Sequence, residues 1–223
     1  MSDKRRRTLL DIYHRLLACF GPQHWWPGEE PFEVIVGAIL TQSTAWSNVE
    51  KSITSLKKVG ALSPAAIRRL SREGLGGLIH SCGYYNMKAL KLKAFAGWLG
   101  DKYGDSLEKM FAGEAADLRE ALLGVHGVGE ETADSILLYA GGKPVFVIDA
   151  YTRRICDRLG FKPKGNKYSH YQKLFTDNLP PDVGLFNEYH ALFVALGKSY
   201  CLKSQPLCQG CCLAELCQKK EMR

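Results

Sequence analysis

Residues 122–134 have the sequence LLGVHGVGEETAD. Two glycines, Gly127 and Gly129, stand between two segments with the apolar spacing of helices. Glycine permits a tight turn and a close approach of the backbone to another molecule. The first amides of the helix that follows are suited to binding a phosphate. The sequence predicts two helices joined by a glycine turn, which an ordinary helix joint would also produce.

An apolar connector, PVFVI at residues 144–148, follows this turn, and Asp149 comes directly after it. The connector has the composition of a strand, but it has no evident partner, so a buried extended segment is an equal alternative. Asp149 occupies the N-cap position of a helix predicted over residues 150–159. A carboxylate there can also stabilise positive charge or activate a water molecule.

The rest of the chain is predominantly helical in pattern. Apolar residues recur with helical spacing over residues 7–19, 32–40, 45–56, 64–70, 86–99, 115–123, 131–139, 150–159, 171–178 and 184–196. We therefore expect an all-α protein of about ten helices in two lobes.

Composition narrows the class of protein. The chain has 223 residues, of which 46% are hydrophobic, so it can bury a sizeable core. No apolar run approaches the roughly 20 residues of a membrane helix, and no apolar segment follows the basic N-terminus as in a secretory signal. The formal net charge of +7 fits a polyanionic partner such as DNA.

Five of the eight cysteines lie in the last 23 residues. Four follow the spacing C-x6-C-x2-C-x5-C and are candidate metal ligands: Cys201, Cys208, Cys211 and Cys217. Such a set of thiolates can hold either Zn²⁺ or a [4Fe–4S] cluster, and the spacing alone does not choose between them. Cys212 breaks the pattern, and it either points away or substitutes for Cys211.

This cysteine spacing resembles that of the endonuclease III family, and the order of hairpin, connector and aspartate resembles that of the helix-hairpin-helix DNA glycosylases in general. The resemblance implies a DNA-binding cleft between two lobes. Residues 31–143 would form a six-helix domain containing the hairpin. Residues 1–30 and 144–223 would form a second helical domain with an iron–sulfur loop at the C-terminus.

The resemblance also implies a [4Fe–4S] cluster that shapes a basic loop against DNA phosphates and does not itself cleave a bond. Lys203, Lys219 and Lys220 are the candidate contacts of this loop, although solvated surface lysines are the simpler interpretation. The expected partner is double-stranded DNA containing a damaged base. We expect a monomer that acts in the cytoplasm, in association with the nucleoid and not with a membrane.

In these glycosylases the aspartate after the hairpin is the catalytic acid, and Asp149 matches it; an N-cap role alone is the alternative. Bifunctional members carry a lysine two residues after the second glycine, and its amine attacks C1′. This chain has Glu131 there, and a carboxylate cannot form an imine. We therefore expect base removal by water, with weak or absent lyase activity.

Four segments together resemble the 3-methyladenine DNA glycosylase III branch: residues 25–27, 32–42, 83–89 and 127–140. Members of that branch can lack the cysteine loop, which this chain retains. The resemblance implies that Trp25, Trp26 and Trp46 stack the flipped base, with ordinary packing as the alternative. An alkylated purine suits such a pocket because its positive charge weakens the glycosidic bond and attracts tryptophan faces.

The remaining candidate residues concern DNA contacts. Gln42 matches the residue that fills the gap left by a flipped base, and Lys198 is a candidate to reach the base pocket. A loop of Tyr84, Tyr85 and Asn86 is expected to face the opposite strand, unless it only begins a helix at Asn86. The hairpin residues expected to contact phosphate are Gly127, Val128, Gly129 and Thr132.

Two other functions fit parts of the pattern. A uracil, thymine-mismatch or oxidised-pyrimidine glycosylase would share the fold, but a neutral base needs polar recognition groups that the sequence does not reveal. A non-catalytic iron–sulfur DNA-binding protein would share the hairpin and the cysteines. Asp149 argues against that second alternative, because a pure binder has no need of a carboxylate beside a polyanion.

Overall fold

The computed structural model describes residues 2–161 and 163–218, and its regular structure there is entirely helical, which confirms the predicted fold class. The α-helices are α1 Ser2–Phe20, α2 Pro31–Leu40, α3 Trp46–Lys58, α4 Pro64–Arg69, α5 Arg72–Leu78, α6 Tyr85–Tyr103, α7 Leu107–Phe111, α8 Ala115–Leu123, α9 Glu130–Ser135, α10 Ala150–Arg158, α11 Tyr168–Thr176 and α12 Val183–Ser199. Short 3-10 helices cover His80–Cys82 and Cys208–Gly210, and a π-helical turn over Ile136–Ala140 continues α9. Within the described ranges, no helix has both the length and the apolar character of a membrane span. Lys219 and Lys220 lie outside these ranges.

The chain divides into two compact units. Unit 1 comprises Met1–Trp25 and Pro144–Arg223, and unit 2 comprises Trp26–Lys143. Residues 26–30, which we had expected in the terminal domain, belong to unit 2, because Trp26 lies against Gly37 of α2 and the ring of Trp46.

Unit 2 contains eight α-helices, α2 to α9, where six were predicted. The helices without a prediction are α5 and α7. Three glycines in α5, REGLGGL, give it a low helix propensity. Tertiary packing compensates, since Ser71 caps the helix by accepting a hydrogen bond from the Gly74 amide at 2.9 Å, and Tyr85 packs against Gly76. The five-residue α7 is too short to show a period.

Helix α2 forms the centre of unit 2. Every residue from Phe32 to Leu40 is buried, and Pro31 sits in the first turn, where its missing amide is not needed. The buried carboxylate of Glu33 pairs with Lys57 at 2.9 Å, so its charge is compensated. This rigid helix positions the residues on either side of it, Trp26 before it and Gln42 after it.

Unit 1 is built around an aromatic core. The Phe146 and Phe175 rings stack with centroids 3.9 Å apart, and Tyr189 contacts both rings edge-on. The connector at residues 144–148 forms no strand, and Phe146, Val147 and Ile148 in it are buried, which favours the buried segment over the strand. Side chains of α11 satisfy its backbone, because the Ile148 amide donates to the Tyr168 hydroxyl at 3.0 Å and Gln172 donates to the Phe146 carbonyl at 2.8 Å.

Candidate active site and cysteine pocket

The predicted hairpin is formed by α8, α9 and a turn over residues 124–129. Gly127 adopts a φ of +84°, which is the left-handed region that favours glycine, whereas Gly129 is extended and serves as the N-cap of α9. The Val128 amide donates to the Val125 carbonyl at 3.0 Å, and both valine side chains are buried. Val128 therefore anchors the turn in the core.

An ion pair with a buried carboxylate connects the two hairpin helices. Arg119 on α8 donates to both carboxylate oxygens of Asp134 on α9, at 2.6 and 3.2 Å. Asp134 is completely buried. Such bidentate pairs combine strength with a fixed geometry, so they hold the angle at which the turn presents α9.

Gln42 lies just beyond the end of α2 and is tied to the hairpin. Its side-chain amide donates to the Gly127 carbonyl at 3.1 Å and to the Thr132 hydroxyl at 3.0 Å. Lys91 of α6 donates to the Gln42 side-chain oxygen, and its aliphatic stem lies where a Cβ on Gly127 would be. The structure thus brings together three predicted DNA-contact residues and adds Lys91, for which the sequence carries no distinguishing signal.

The loop before α6 separates the roles of its predicted residues. Tyr84 has a φ of +46° and a side chain that is 76% exposed. Tyr85 packs instead against His80, with ring centroids 4.6 Å apart, and α6 begins at this residue and not at Asn86. Tyr84 is therefore the projecting member of this loop, held in a backbone conformation that is unusual for a bulky residue.

An aromatic cluster forms in unit 2 around Trp26. The Trp26 ring meets Trp46 edge-on at 5.1 Å and lies at the same centroid distance from Tyr139 on the π-helical turn. Gly37 makes room, because a Cβ there would lie 3.2 Å from Trp26 and 3.3 Å from Trp46. Of the three predicted tryptophans, Trp26 and Trp46 are together, and Trp25 belongs to unit 1. Tyr139 was not predicted, because its spacing is that of an ordinary helix residue.

Asp149 caps α10, as predicted. Its Oδ1 accepts a hydrogen bond from the Thr152 amide at 2.7 Å, and its Oδ2 lies 3.6 Å from Nε2 of His190 on α12. Burial alone would raise the pKa of Asp149, but His190 and Thr152 outweigh burial and hold the pKa below its usual value. A nearly buried carboxylate that stays ionised can stabilise a developing cation beside it. His190 was not predicted.

Two further predicted residues are exposed. Glu131 lies in the first turn of α9, where it is solvent-accessible. Lys198 lies in the last turn of α12, and its side chain is exposed.

The four predicted ligand cysteines line a single pocket with Arg158, Tyr200, Pro206 and Ala214. Arg158 donates to the Cys201 sulfur at 3.2 Å, and the Cys217 thiol donates to the Arg158 carbonyl at 3.3 Å. Burial raises the pKa of Cys211, and the nearby Cys201, Cys217 and Cys208 raise it further. Because four thiolates that line one pocket would repel one another, the donor set needs a cationic group to be stable in its deprotonated form.

Cys212 is turned away from this pocket. Its thiol is in hydrogen-bonding contact with the thiol of Cys19 on α1. The ion pair of Arg15 with Glu215, at 3.0 Å, holds the same helix against the same loop. Among residues 2–161 and 163–218, no three His, Cys, Asp or Glu side chains converge closely enough for one metal ion.

The chain is similar to known DNA repair proteins over nearly all of its length. The profile of the HhH-GPD superfamily of base excision DNA repair proteins matches residues 36–181. A protein of Methanocaldococcus jannaschii, provisionally named a DNA repair glycosylase, is 42% identical over 221 residues, which are 99% of this chain and 100% of the relative. Endonuclease III of Thermotoga maritima is 30% identical over 189 residues, which are 85% of this chain and 83% of that enzyme.

A solved structure shares the fold as well. H. pylori 3-methyladenine DNA glycosylase (MagIII), bound to 1,N6-ethenoadenine, superposes with a TM-score of 0.71 at 27% identity, covering 88% of this chain and 97% of that one. The similarities confirm the resemblance inferred from the hairpin and the residues that follow it. The chain belongs to the HhH-GPD superfamily of base excision DNA repair proteins.

Proposed function

We propose that this protein is a monofunctional DNA glycosylase that hydrolyses the N-glycosidic bond of a flipped alkylated purine, such as 3-methyladenine. The observation that carries the proposal is the placement of Asp149, whose side chain is only 13% exposed and whose Oδ2 lies 3.6 Å from Nε2 of His190. His190 and Thr152 hold the pKa of this carboxyl below its usual value. Keeping a carboxylate charged in such a place costs desolvation energy. In a site of base excision, that charge would stabilise the cation that develops on the sugar.

The chemistry follows from the charge of the transition state. As the base departs, positive charge develops at C1′ of the sugar, and a fixed carboxylate lowers the energy of that cation. The same group can orient or deprotonate the attacking water. An alkylated purine already carries positive charge, so it leaves with little protonation, and a site with Asp149 as its acidic group suffices.

The absence of a lysine at the lyase position supports hydrolysis by water. Glu131 occupies the second residue of α9, where bifunctional relatives of the resembled family carry the attacking amine. A carboxylate cannot form a Schiff base with C1′, so strand cleavage through an imine is not expected.

The aromatic cluster supports the substrate class. The faces of Trp26, Trp46 and Tyr139 can stack a base taken out of the duplex. A cationic purine gains about 0.5–2 kcal/mol from a good contact with such a ring. The structural similarity to a 3-methyladenine glycosylase, at 27% identity, points to the same class. Trp25 and Lys198 remain candidate members of the pocket.

The DNA partner is proposed from charge and from the hairpin. The net charge of +7 favours a polyanion. The hairpin would contact DNA phosphates through Gly127, Gly129 and Thr132. Gln42 and Tyr84 would fill the space that the flipped base leaves in the duplex. The protein would act on double-stranded DNA as a monomer, in the cytoplasm and in association with the nucleoid.

The cysteine pocket is proposed to hold a [4Fe–4S] cluster on Cys201, Cys208, Cys211 and Cys217. The choice of a cluster over a zinc ion rests on the cysteine spacing, which resembles that of the endonuclease III family. A cluster binds each thiolate to a different iron, so it fits a pocket whose wall the cysteines share. When bound, it would supply cation charge and rigidity to the loop, and Arg158 would donate to its Cys201 ligand.

The proposal is tested by a panel of duplex oligonucleotides, each carrying one lesion. The panel comprises 3-methyladenine, 7-methylguanine, 1,N6-ethenoadenine, hypoxanthine, uracil opposite guanine, thymine opposite guanine, and thymine glycol. We expect release of the cationic methylated purines to exceed that of the neutral pyrimidines by about tenfold or more. Faster release of uracil, thymine or thymine glycol would refute the substrate class, and no release of any base would refute the glycosylase itself.

A further inference from the structure

His190 is a buried histidine whose imidazole faces the proposed catalytic carboxylate. Its side chain is 6% exposed, and its Nε2 lies 3.6 Å from Oδ2 of Asp149. We propose that His190 is a positioning residue, which fixes the orientation of the Asp149 carboxylate and keeps its Oδ2 available as a charged oxygen. This inference rests on the proposed function, because it assigns a role within the same site.

The two carboxylate oxygens of Asp149 have different neighbours. Oδ1 is committed to the N-terminus of α10, where it accepts from the Thr152 amide at 2.7 Å. Oδ2 is the oxygen on the His190 side, and it is the one left to act on substrate. With one oxygen held by backbone and the other faced by imidazole, rotation of the carboxylate about its last side-chain bond is restricted.

The imidazole can orient a neighbour because its own helix is held firmly. Arg154 of α10 donates to the Gly197 carbonyl of α12 at 3.1 Å and to the Cys201 carbonyl at 2.8 Å. These bonds fix α12 relative to α10, which is the helix that Asp149 caps.

Burial raises the pKa values of two other titratable groups on the helices that Asp149 and His190 occupy, Cys156 and Tyr189. Burial is the largest cause for the Cys156 thiol on α10. The negative charges of Asp157 and Asp149 raise its pKa further. Burial also raises the pKa of Tyr189 on α12 well above its usual value. From α11, Tyr168 presents a hydroxyl to the Ile148 amide next to Asp149. His190, together with Thr152, is the described group that lowers the pKa of Asp149.

Loss of the His190 imidazole should lower the rate of base excision more than it weakens the binding of DNA. A carboxylate that rotates away from C1′ loses contact with the developing cation, and a misplacement of about 1 Å can cost about 100-fold in rate. Removing the imidazole should also raise the pKa of Asp149, because burial would then act with less opposition. The acidic limb of the pH–rate profile should move to higher pH.

The test compares His190→Leu with His190→Gln in single-turnover excision of a methylated purine across a range of pH. Gln offers an amide N–H near the position of the imidazole Nε2, whereas Leu offers no donor. We expect His190→Leu to lower the rate by about 10–100-fold and to shift the acidic limb upward, with little change in substrate affinity. His190→Gln should recover most of the rate and return the limb toward the wild-type position.

Tyr189→Phe is the matched control, because it removes a buried hydrogen bond from the same helix without touching Asp149. It should lower stability and leave the pH profile in place. Equal loss in both His190 variants, with the acidic limb unmoved as in Tyr189→Phe, would show that His190 only packs. Should His190→Leu fail to fold, His190→Asn takes its place, since its shorter amide does not reach Oδ2.

A second measurement separates this inference from the proposed function. The carboxyl carbon of Asp149 can be titrated by NMR in the absence of DNA, in the wild type and in His190→Leu or His190→Asn. A higher pKa in the variant supports the pairing, and an unchanged pKa overturns it. If the wild-type protein excises no base at all, the proposed function fails, while this titration still decides whether His190 controls Asp149.

Discussion

Asp149 caps helix α10 with one carboxylate oxygen and is proposed to act in base excision with the other. One oxygen satisfies a backbone amide at the start of α10, and the other faces His190. Asparagine and aspartate are equally good N-caps, while alanine is a poor one. Substitution at this position can therefore separate the structural task from the chemical one.

Asp149→Asn should abolish most excision, by about 100-fold or more, while leaving the free energy of unfolding and the affinity for damaged DNA nearly unchanged. Asp149→Ala should lose activity to the same extent and also about 1 kcal/mol of stability, because the cap is lost. Single-turnover excision, DNA binding and urea denaturation measure the three quantities. Wild-type turnover in Asp149→Asn would remove Asp149 from the mechanism.

Among single residues, the sequence predicts those whose role is local. The N-cap role of Asp149 depends on residues within one helical turn, so it can be predicted from the local sequence. His190, Tyr139 and Lys91 have no such signal, because each acquires its role only when a distant element packs beside it. Gln42 was identified by resemblance, but its bond to Thr132 required the folded structure.

At the scale of the element, the hairpin is the unit on which DNA binding is proposed to depend. The sequence does not distinguish the roles of the hairpin's two glycines, and the structure does. Gly127 has a positive φ and lies against the Lys91 stem, whereas a Cβ at Gly129 meets nothing within 4 Å. Only Gly127 is required by the turn itself.

Gly127→Ala should destabilise the protein by more than about 1 kcal/mol, from left-handed strain together with displacement of Lys91. Gly129→Ala should change stability by no more than about 0.5 kcal/mol. Thermal or urea denaturation of the matched pair tests this difference. Equal stability losses in both variants would contradict the described turn. Weaker DNA binding by Gly129→Ala alone would instead report a phosphate that approaches that backbone.

The ion pair between α8 and α9 gives a second prediction at this scale. Arg119→Met removes the bidentate hydrogen bonds that Arg119 donates to the fully buried Asp134, and losing one side of such a pair costs about 3 kcal/mol. Asp3→Asn, which breaks the exposed pair with Arg7, is the control and should cost less than about 1 kcal/mol. Indistinguishable unfolding midpoints for the two variants would be inconsistent with the structural role of Arg119.

Periodic helices were predictable because their apolar faces are continuous, and the exceptions have physical causes. The glycines of α5 suppress its propensity, and packing against Tyr85 restores the helix. The connector before Asp149 has the composition of a strand, but its backbone groups are satisfied by Tyr168 and Gln172. Neither compensation is visible without tertiary structure.

The chain begins in unit 1, forms all of unit 2 and then returns to unit 1 at Pro144. The cysteine pocket lies in the C-terminal part of unit 1. Composition and resemblance indicated a two-part all-α protein. The boundary at Trp26 was not predicted, because it depends on ring packing against α2.

The purified protein should contain iron and sulfide in equal amounts and be yellow-brown. Cys211→Ser should lose the cluster, because Cys211 lines the pocket. Cys212→Ser should retain it, because that thiol contacts Cys19. Metal analysis and visible absorbance decide the outcome. One zinc per chain, or loss of the cluster in both variants, would contradict the assigned ligands.

Borohydride trapping on a duplex that carries an alkylated purine distinguishes hydrolysis by water from attack on C1′ by an amine. The protein should release the free base and leave an intact abasic strand that breaks only on treatment with alkali. No covalent protein–DNA adduct should form, because residue 131 is a glutamate. Endonuclease III serves as the positive control. An adduct that forms as efficiently as with that enzyme would show an amine at C1′ and would contradict hydrolysis directed by Asp149.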